Sequence, residues 1–142
     1  AGSRIWIDGP YGVFTREVEK APEDEAVFIA GGIGITPFVD HVLKGTGNQW
    51  LFYANQTVAS VAFTPALAHK LGDHYVPIYS NDTVEGAESG FMRAEIITKY
   101  IDSPASKRYF ICGPPKMMEI TKHMLIGMNV PADRIHSEDF SF

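Results

Sequence analysis

The chain has 142 residues, 45% of them hydrophobic, enough for one domain with a full core that buries ~70% of its unfolded surface. Its 17 acidic and 12 basic residues are scattered and leave a net charge of −5, so there is no positive field for nucleic acid, and no stretch approaches the ~20 apolar residues of a membrane span. A single cysteine, Cys112, excludes an internal disulfide and a four-cysteine iron–sulfur cluster, and the five histidines lack metal-ligand spacing, so no metal site is expected.

Ser3-Arg4-Ile5-Trp6-Ile7-Asp8 alternates polar and apolar residues and stops at Gly9-Pro10-Tyr11-Gly12, the pattern of a half-buried strand ending in a turn. Such a strand needs neighbours, and the expectation is that it is the last strand of another domain. Residues 17–25 are charged and contain Pro22, as a surface linker would. Residues 26–30 form a continuous apolar run, expected for a parallel strand covered on both faces. A helix over 36–44, a strand over 49–54, a helix over about 61–71 and a strand over 75–80 follow, with Pro77 favouring an edge position because it lacks a ladder donor. A polar loop over 81–90 leads to a helix from about 92 to 100, a strand over 108–112, a helix from 115 to about 128 and a short strand over 134–137. Strands alternating with helices predict an α/β fold, a doubly wound five-stranded parallel sheet with helices on both faces.

Two turns in this pattern carry chemistry. The first, Ala30-Gly31-Gly32-Ile33-Gly34-Ile35-Thr36-Pro37, joins a strand to a helix start. Without Cβ atoms at Gly31, Gly32 and Gly34 a phosphate can approach the backbone. Thr36 is placed to cap the helix and Pro37 suits its first turn. It departs from the G-x-G-x-x-G fingerprint, because Pro37 stands where the third glycine would be. The second turn, Cys112-Gly113-Pro114-Pro115, opens the helix that carries Met117 and Met118. Ligands in open α/β sheets bind beyond the carboxyl ends of the strands where strand order reverses, so the two turns are expected to face one crevice. No Ser-His-Asp set, P-loop lysine or paired-carboxylate motif stands out, which leaves hydrolysis and phosphoryl transfer without support. With no leader recognisable, a reducing, cytoplasmic setting is expected, or the cytoplasmic face of a membrane where a longer chain adds membrane helices.

Five pieces in order, Gly9-Pro10-Tyr11-Gly12, Gly31 to Pro37, Leu51-Phe52-Tyr53-Ala54-Asn55-Gln56-Thr57, Cys112-Gly113-Pro114-Pro115-Lys116-Met117-Met118 and Glu138-Asp139-Phe140-Ser141-Phe142, make the chain resemble the NAD(P)-binding domain of the ferredoxin–NADP⁺ reductase family. That family includes cytochrome b5 reductases and NADPH-oxidase-like proteins. The resemblance implies strand order 3-2-1-4-5, an NAD(P)-binding domain over 17–142, and a last strand and exit loop of a missing flavin-binding barrel over 1–16. It implies that nicotinamide is presented for hydride transfer to FAD held in cis by that missing domain, the electrons passing on to an unidentified acceptor. The other class of function compatible with the sequence is a noncatalytic nucleotide-binding module that regulates an attached domain.

The resemblance also distributes roles. Thr36 stands close to the nicotinamide–flavin contact, Cys112 beside the nicotinamide ring, and Glu138 where a carboxylate orients the nicotinamide or relays a proton. Phe140 is placed to cover the flavin, although Phe142 competes for that part. Gly113, Pro114, Pro115 and Met117 join the cofactor-binding set, while Met117 and Met118 also read as core packing. The adenosine ribose falls to the loops after the second and third strands, with Asn55, Gln56, Thr57, Asn81 and Asp82. Neither loop has a cation, Gln56 stands where NADP-using relatives often have arginine, and Asp82, Glu85 and Glu88 would repel a 2′-phosphate by roughly 1 kcal/mol per close pair. NADH is therefore expected over NADPH, with Arg93, Lys70 and Lys116 as the cations able to fold back to the site.

Overall fold

The structure, a computed structural model, describes residues 16–61 and 64–138. The expected strand over 3–8 and its turn, and the ending with Phe140 and Phe142, lie outside the described residues. All six residues of β1 (Ala26–Gly31) are buried, because this strand pairs with β2 (Trp50–Asn55) on one side and β5 (Arg108–Cys112) on the other. Its side chains alternate between two cores, Ala26, Phe28 and Ala30 entering one and Val27 and Ile29 the other. A continuous apolar run is what a strand covered on both faces requires.

Beyond β2 lie β3 (Tyr75–Tyr79) and β4 (Glu88–Ser89), and beyond β5 lies β6 (Ile135–Glu138). The sheet is parallel throughout, in the order β4-β3-β2-β1-β5-β6. On one face α1 (Thr36–Lys44) and α2 (Thr64–Leu71) contribute Phe38, Val42, Leu67 and Leu71 to the core, where Phe28 and Phe38 stack with centroids 4.7 Å apart. On the other face α3 (Ala94–Tyr100) and α4 (Pro115–Gly127) contribute Ile96, Ile97, Met118 and Leu125. Each fully buried Phe, Leu or Ile stabilises this sandwich by about 1.5–3 kcal/mol. Among the described residues no helix is long and apolar enough to cross a membrane.

The expected doubly wound sheet and its order are borne out, with one added strand. The segment expected as a plain loop contains β4, which pairs with Ile78 and Tyr79, just past Pro77. A two-residue strand has no periodicity to read. It is held instead by a remote contact: Glu88 Oε2 accepts from Lys99 Nζ at 2.6 Å and from Tyr100 Oη at 2.7 Å, both on α3. Helix α3 begins two residues later than expected, since Arg93 is extended and its Nη1 donates to the carbonyls of Ser89 and Phe91. The expected linker is also partly ordered, with a helical turn over 16–20 that buries Val18 and a 3₁₀ turn at Glu23–Glu25. The Glu23 carboxylate accepts from the Thr46 N–H at 2.9 Å, just past the end of α1, and this fastens the segment to the domain.

Candidate functional site

Chain order reverses between β1 and β5: from β1 the chain winds outward through β2, β3 and β4, and then returns across the sheet to β5. At the carboxyl ends of these strands lies a crevice of about 660 Å³, within the size range of cofactor sites. One wall is the β1–α1 turn, another the ends of β2 and β3, and the rest comes from the first two turns of α4 and the residues before α3.

The β1–α1 turn is a 3₁₀ turn, Gly32–Ile35, running directly into α1. That continuity overturns the expected cap. Thr36 already has helical φ and ψ, so its hydroxyl cannot aim at the N–H groups ahead and instead donates back to the Ile33 carbonyl at 3.1 Å. Pro37 occupies the first turn of α1, as expected. The Tyr53 hydroxyl steadies the turn from β2 by donating to the Gly32 carbonyl at 3.2 Å.

The three glycines of the turn divide by role. A Cβ on Gly34 would lie 2.2 Å from the Cys112 carbonyl oxygen, and one on Gly31 would lie 2.3 Å from Met117 Sδ. Their empty space is therefore filled by the second turn and α4, which corrects the expectation that all three open the backbone to a phosphate. Gly32 alone has a positive φ, +55°, with nothing within 4 Å of a Cβ position. It is the open cradle, and the first N–H groups of a helical turn have no intrahelical partner. The two turns do adjoin: Gly113, in the turn after β5, would bring a Cβ within 3.2 Å of the Gly31 nitrogen.

Of the residues singled out from the sequence, the crevice wall gathers Gly31, Gly32, Thr36, Asn55, Gln56, Pro114 and Met117. Gly34, Pro37, Thr57, Asn81, Asp82, Gly113 and Pro115 are not among the residues that line it. Asn81 N–H donates to the Gln56 carbonyl at 2.8 Å, and Asp82 Oδ2 accepts from the Val58 N–H at 2.8 Å, tying the β3 loop to the β2 loop. Thr57 caps a 3₁₀ turn at Val58–Ser60 in a reciprocal box with Ser60. Cys112 is fully buried and Glu138 is nearly so. They face each other in the β5–β6 register, in one row across the sheet with Tyr53 and Ala30. Ala30, Tyr53 and Cys112 all enter the α1 and α2 core, so Cys112 turns away from the α4 wall.

Sequence reasoning missed several lining residues. Phe91 and Ile33 are large hydrophobics left 78% and 80% exposed, and with Met92 and Ile120 they make the wall apolar. A signal existed for Phe91, since it follows Gly90, whose φ of +96° marks a bend in the chain. The Asn55 Nδ2 atom is buried at the end of β2 and has no hydrogen-bond partner among the described residues.

These features correspond to known proteins. A family model described as the oxidoreductase NAD-binding domain matches residues 28–123. The ferredoxin reductase component of 3-ketosteroid-9-alpha-monooxygenase from Mycobacterium tuberculosis is 32% identical over 146 residues, covering 98% of this chain and 39% of that protein. Phenoxybenzoate dioxygenase subunit beta from Ectopseudomonas oleovorans is 34% identical over 142 residues, covering 99% of this chain and 41% of its own length. The solved cytochrome b5 reductase domain of Ulva prolifera nitrate reductase superposes with a TM-score of 0.66 at 25% identity, covering 80% of this chain and 49% of that one. The chain thus spans about two fifths of the length of these two curated relatives. With the family model matching from β1 through most of α4, the resemblance is borne out and the chain belongs to the family of oxidoreductase NAD-binding domains.

Proposed function

We propose that this chain is the NAD(P)H-binding module of a flavin-dependent oxidoreductase. It works with an FAD-binding domain in cis and feeds electrons to an acceptor of the kind named for its relatives, an oxygenase system. The observation that carries this is the crevice at the strand-order reversal, where the open face of Gly32 adjoins two apposed turns and an apolar wall. When bound there, a reduced dinucleotide supplies a hydride, and the protein supplies orientation and exclusion of water. The turn at Gly32–Ile35 receives the pyrophosphate. Asn55 donates from its unpaired Nδ2, and Gln56 and Ser60 meet the adenosine end. Thr36 lines the crevice, and the nicotinamide is assigned to its β5 side, where Cys112 and Glu138 are buried at the ends of β5 and β6, towards the flavin domain.

NADH is the favoured nucleotide. Gln56, Ser60 and Ser80 line the adenosine wall, and none of them brings a cation to a 2′-phosphate. Asp82 keeps a carboxylate in the adjoining loop on the Val58 N–H, whereas Glu88 contributes little repulsion because Lys99 neutralises it. Arg93 is held to its own loop by the carbonyls of Ser89 and Phe91. Calorimetric titration of the chain with NADH and NADPH at low and moderate salt tests both levels. Equal affinity at low ionic strength overturns the preference for NADH, and no binding of either overturns the site. The flavin belongs to the other domain, so the chain is expected to purify without absorbance at the flavin bands. A stoichiometric yellow cofactor on it would refute that division.

A further inference from the structure

Among the described residues that line the crevice, Lys116 is the one that carries a charge. It sits exposed in the first turn of α4 and makes no hydrogen bond or ion pair with any described residue. Its sequence neighbours fix where it stands. A Cβ on Gly31 would lie 2.3 Å from Met117 Sδ and 3.2 Å from Pro114 Cδ, so the residues flanking Lys116 pack on the strand end that leads into Gly32. The flexible lysine stem therefore begins beside the open cradle. Two acids of the loop after β3 are engaged elsewhere, Asp82 with the Val58 N–H and Glu88 with Lys99.

We propose that Lys116 is the counter-charge for the pyrophosphate of the bound dinucleotide, holding it against the Gly32–Ile35 turn equally for NADH and NADPH. This rests on the crevice being the dinucleotide site. The turn offers only the partial positive charge of its N–H groups, while a pyrophosphate carries full negative charge, and a lysine ammonium is a compact point charge suited to phosphate oxygens. Lys116 follows β5, whereas Gln56, Ser60 and Ser80 follow β2 and β3 on the other side of β1, so it is placed at the phosphates and away from the adenosine ribose. In a crevice open to water, one such pair about 4 Å apart changes affinity about five- to tenfold.

The test compares the chain with its Lys116→Gln and Lys116→Arg variants by calorimetric titration with ADP-ribose, NADH and NADPH at low and moderate salt. The glutamine variant is expected to bind all three about five- to tenfold more weakly, by a common factor and with a shallower salt dependence, and arginine is expected to restore both. Unchanged ADP-ribose affinity in the glutamine variant overturns the proposal, as does a loss confined to NADPH, which would put Lys116 at the 2′-phosphate. If the unaltered chain binds none of the three, the crevice assignment itself fails. If it binds them and the glutamine variant binds them just as tightly, only the role of Lys116 fails.

Discussion

Replacing Gly34 with alanine tests whether this glycine serves the packing of two turns or the approach of a ligand. The new Cβ would stand 2.2 Å from the carbonyl oxygen of Cys112, 2.5 Å from its carbon and 2.7 Å from the nitrogen of Gly113. All three are backbone atoms of a strand end held on both sides, Cys112 being in register with Ala30 on β1 and Glu138 on β6. Neither strand can yield cheaply, so the cost falls at the upper end of the ~1–3 kcal/mol usual for overpacking. Gly34 has no positive φ, so alanine adds no backbone strain there, and its smaller unfolded-state entropy offsets about 0.4–1 kcal/mol. The net loss is about 2 kcal/mol, or a fall in Tm of about 5–8 °C for a domain of this size. Gly31→Ala meets the flexible end of Met117, which can swing away, so its loss should be smaller. Thermal and denaturant unfolding of the two variants beside the parent chain measures both. A Gly34→Ala chain as stable as the parent, with nucleotide affinity reduced, would refute the packing argument and return Gly34 to the ligand.

Glu88 is held below the usual carboxylate range chiefly by the hydrogen bond from Lys99, then by the one from Tyr100. A lowered pKa in the folded state adds stability above the unfolded carboxylate pKa that is lost as pH falls through the folded one, so Glu88→Gln should lower stability at pH 7 and the difference from the parent should shrink as the solution is acidified below the usual carboxylate range. A loss that stays the same on acidification would count against the ion pair. Burial pushes the Tyr75 hydroxyl up to about 12 and the Tyr109 hydroxyl higher still, the latter donating to the Pro104 carbonyl at 2.8 Å. The unfolded chain therefore loses these protons first, and stability should decline from about pH 10 upward; a Tyr75→Phe, Tyr109→Phe double variant should flatten that decline in alkaline denaturation curves. Cys112 is fully buried, so a thiol-titrating disulfide reagent should react with the native chain far more slowly than with the denatured one, and equal rates would contradict its position. Within a protein that also carries the flavin domain, Cys112→Ser should slow flavin reduction at saturating nucleotide more than it weakens binding, whereas the reverse pattern would assign it packing alone.

What the amino-acid sequence determined by itself was everything set by local signals. The apolar run of β1, the glycine turn with Pro37, the second turn at Gly113-Pro114-Pro115 and the strand–helix alternation are each written within a few neighbouring residues. Right-handed crossovers then leave few topologies for them to choose. From these the doubly wound sheet and the pairing of the two turns could be read. Tertiary structure alone decided what depends on distances between segments far apart in the chain. Glu88 and Ser89 become a strand because Lys99 and Tyr100 hold Glu88 from α3. Thr36 turns its hydroxyl backwards because the 3₁₀ turn before it is already wound. Gly31 and Gly34 face protein while Gly32 faces the crevice, although the three look alike in sequence, because only the apposition of β1 with β5 and α4 says which Cβ positions are occupied. Lys116 reaches the crevice for the same reason: the packing of Met117 and Pro114 on Gly31 sets the start of α4 beside the turn, and no local pattern encodes that contact.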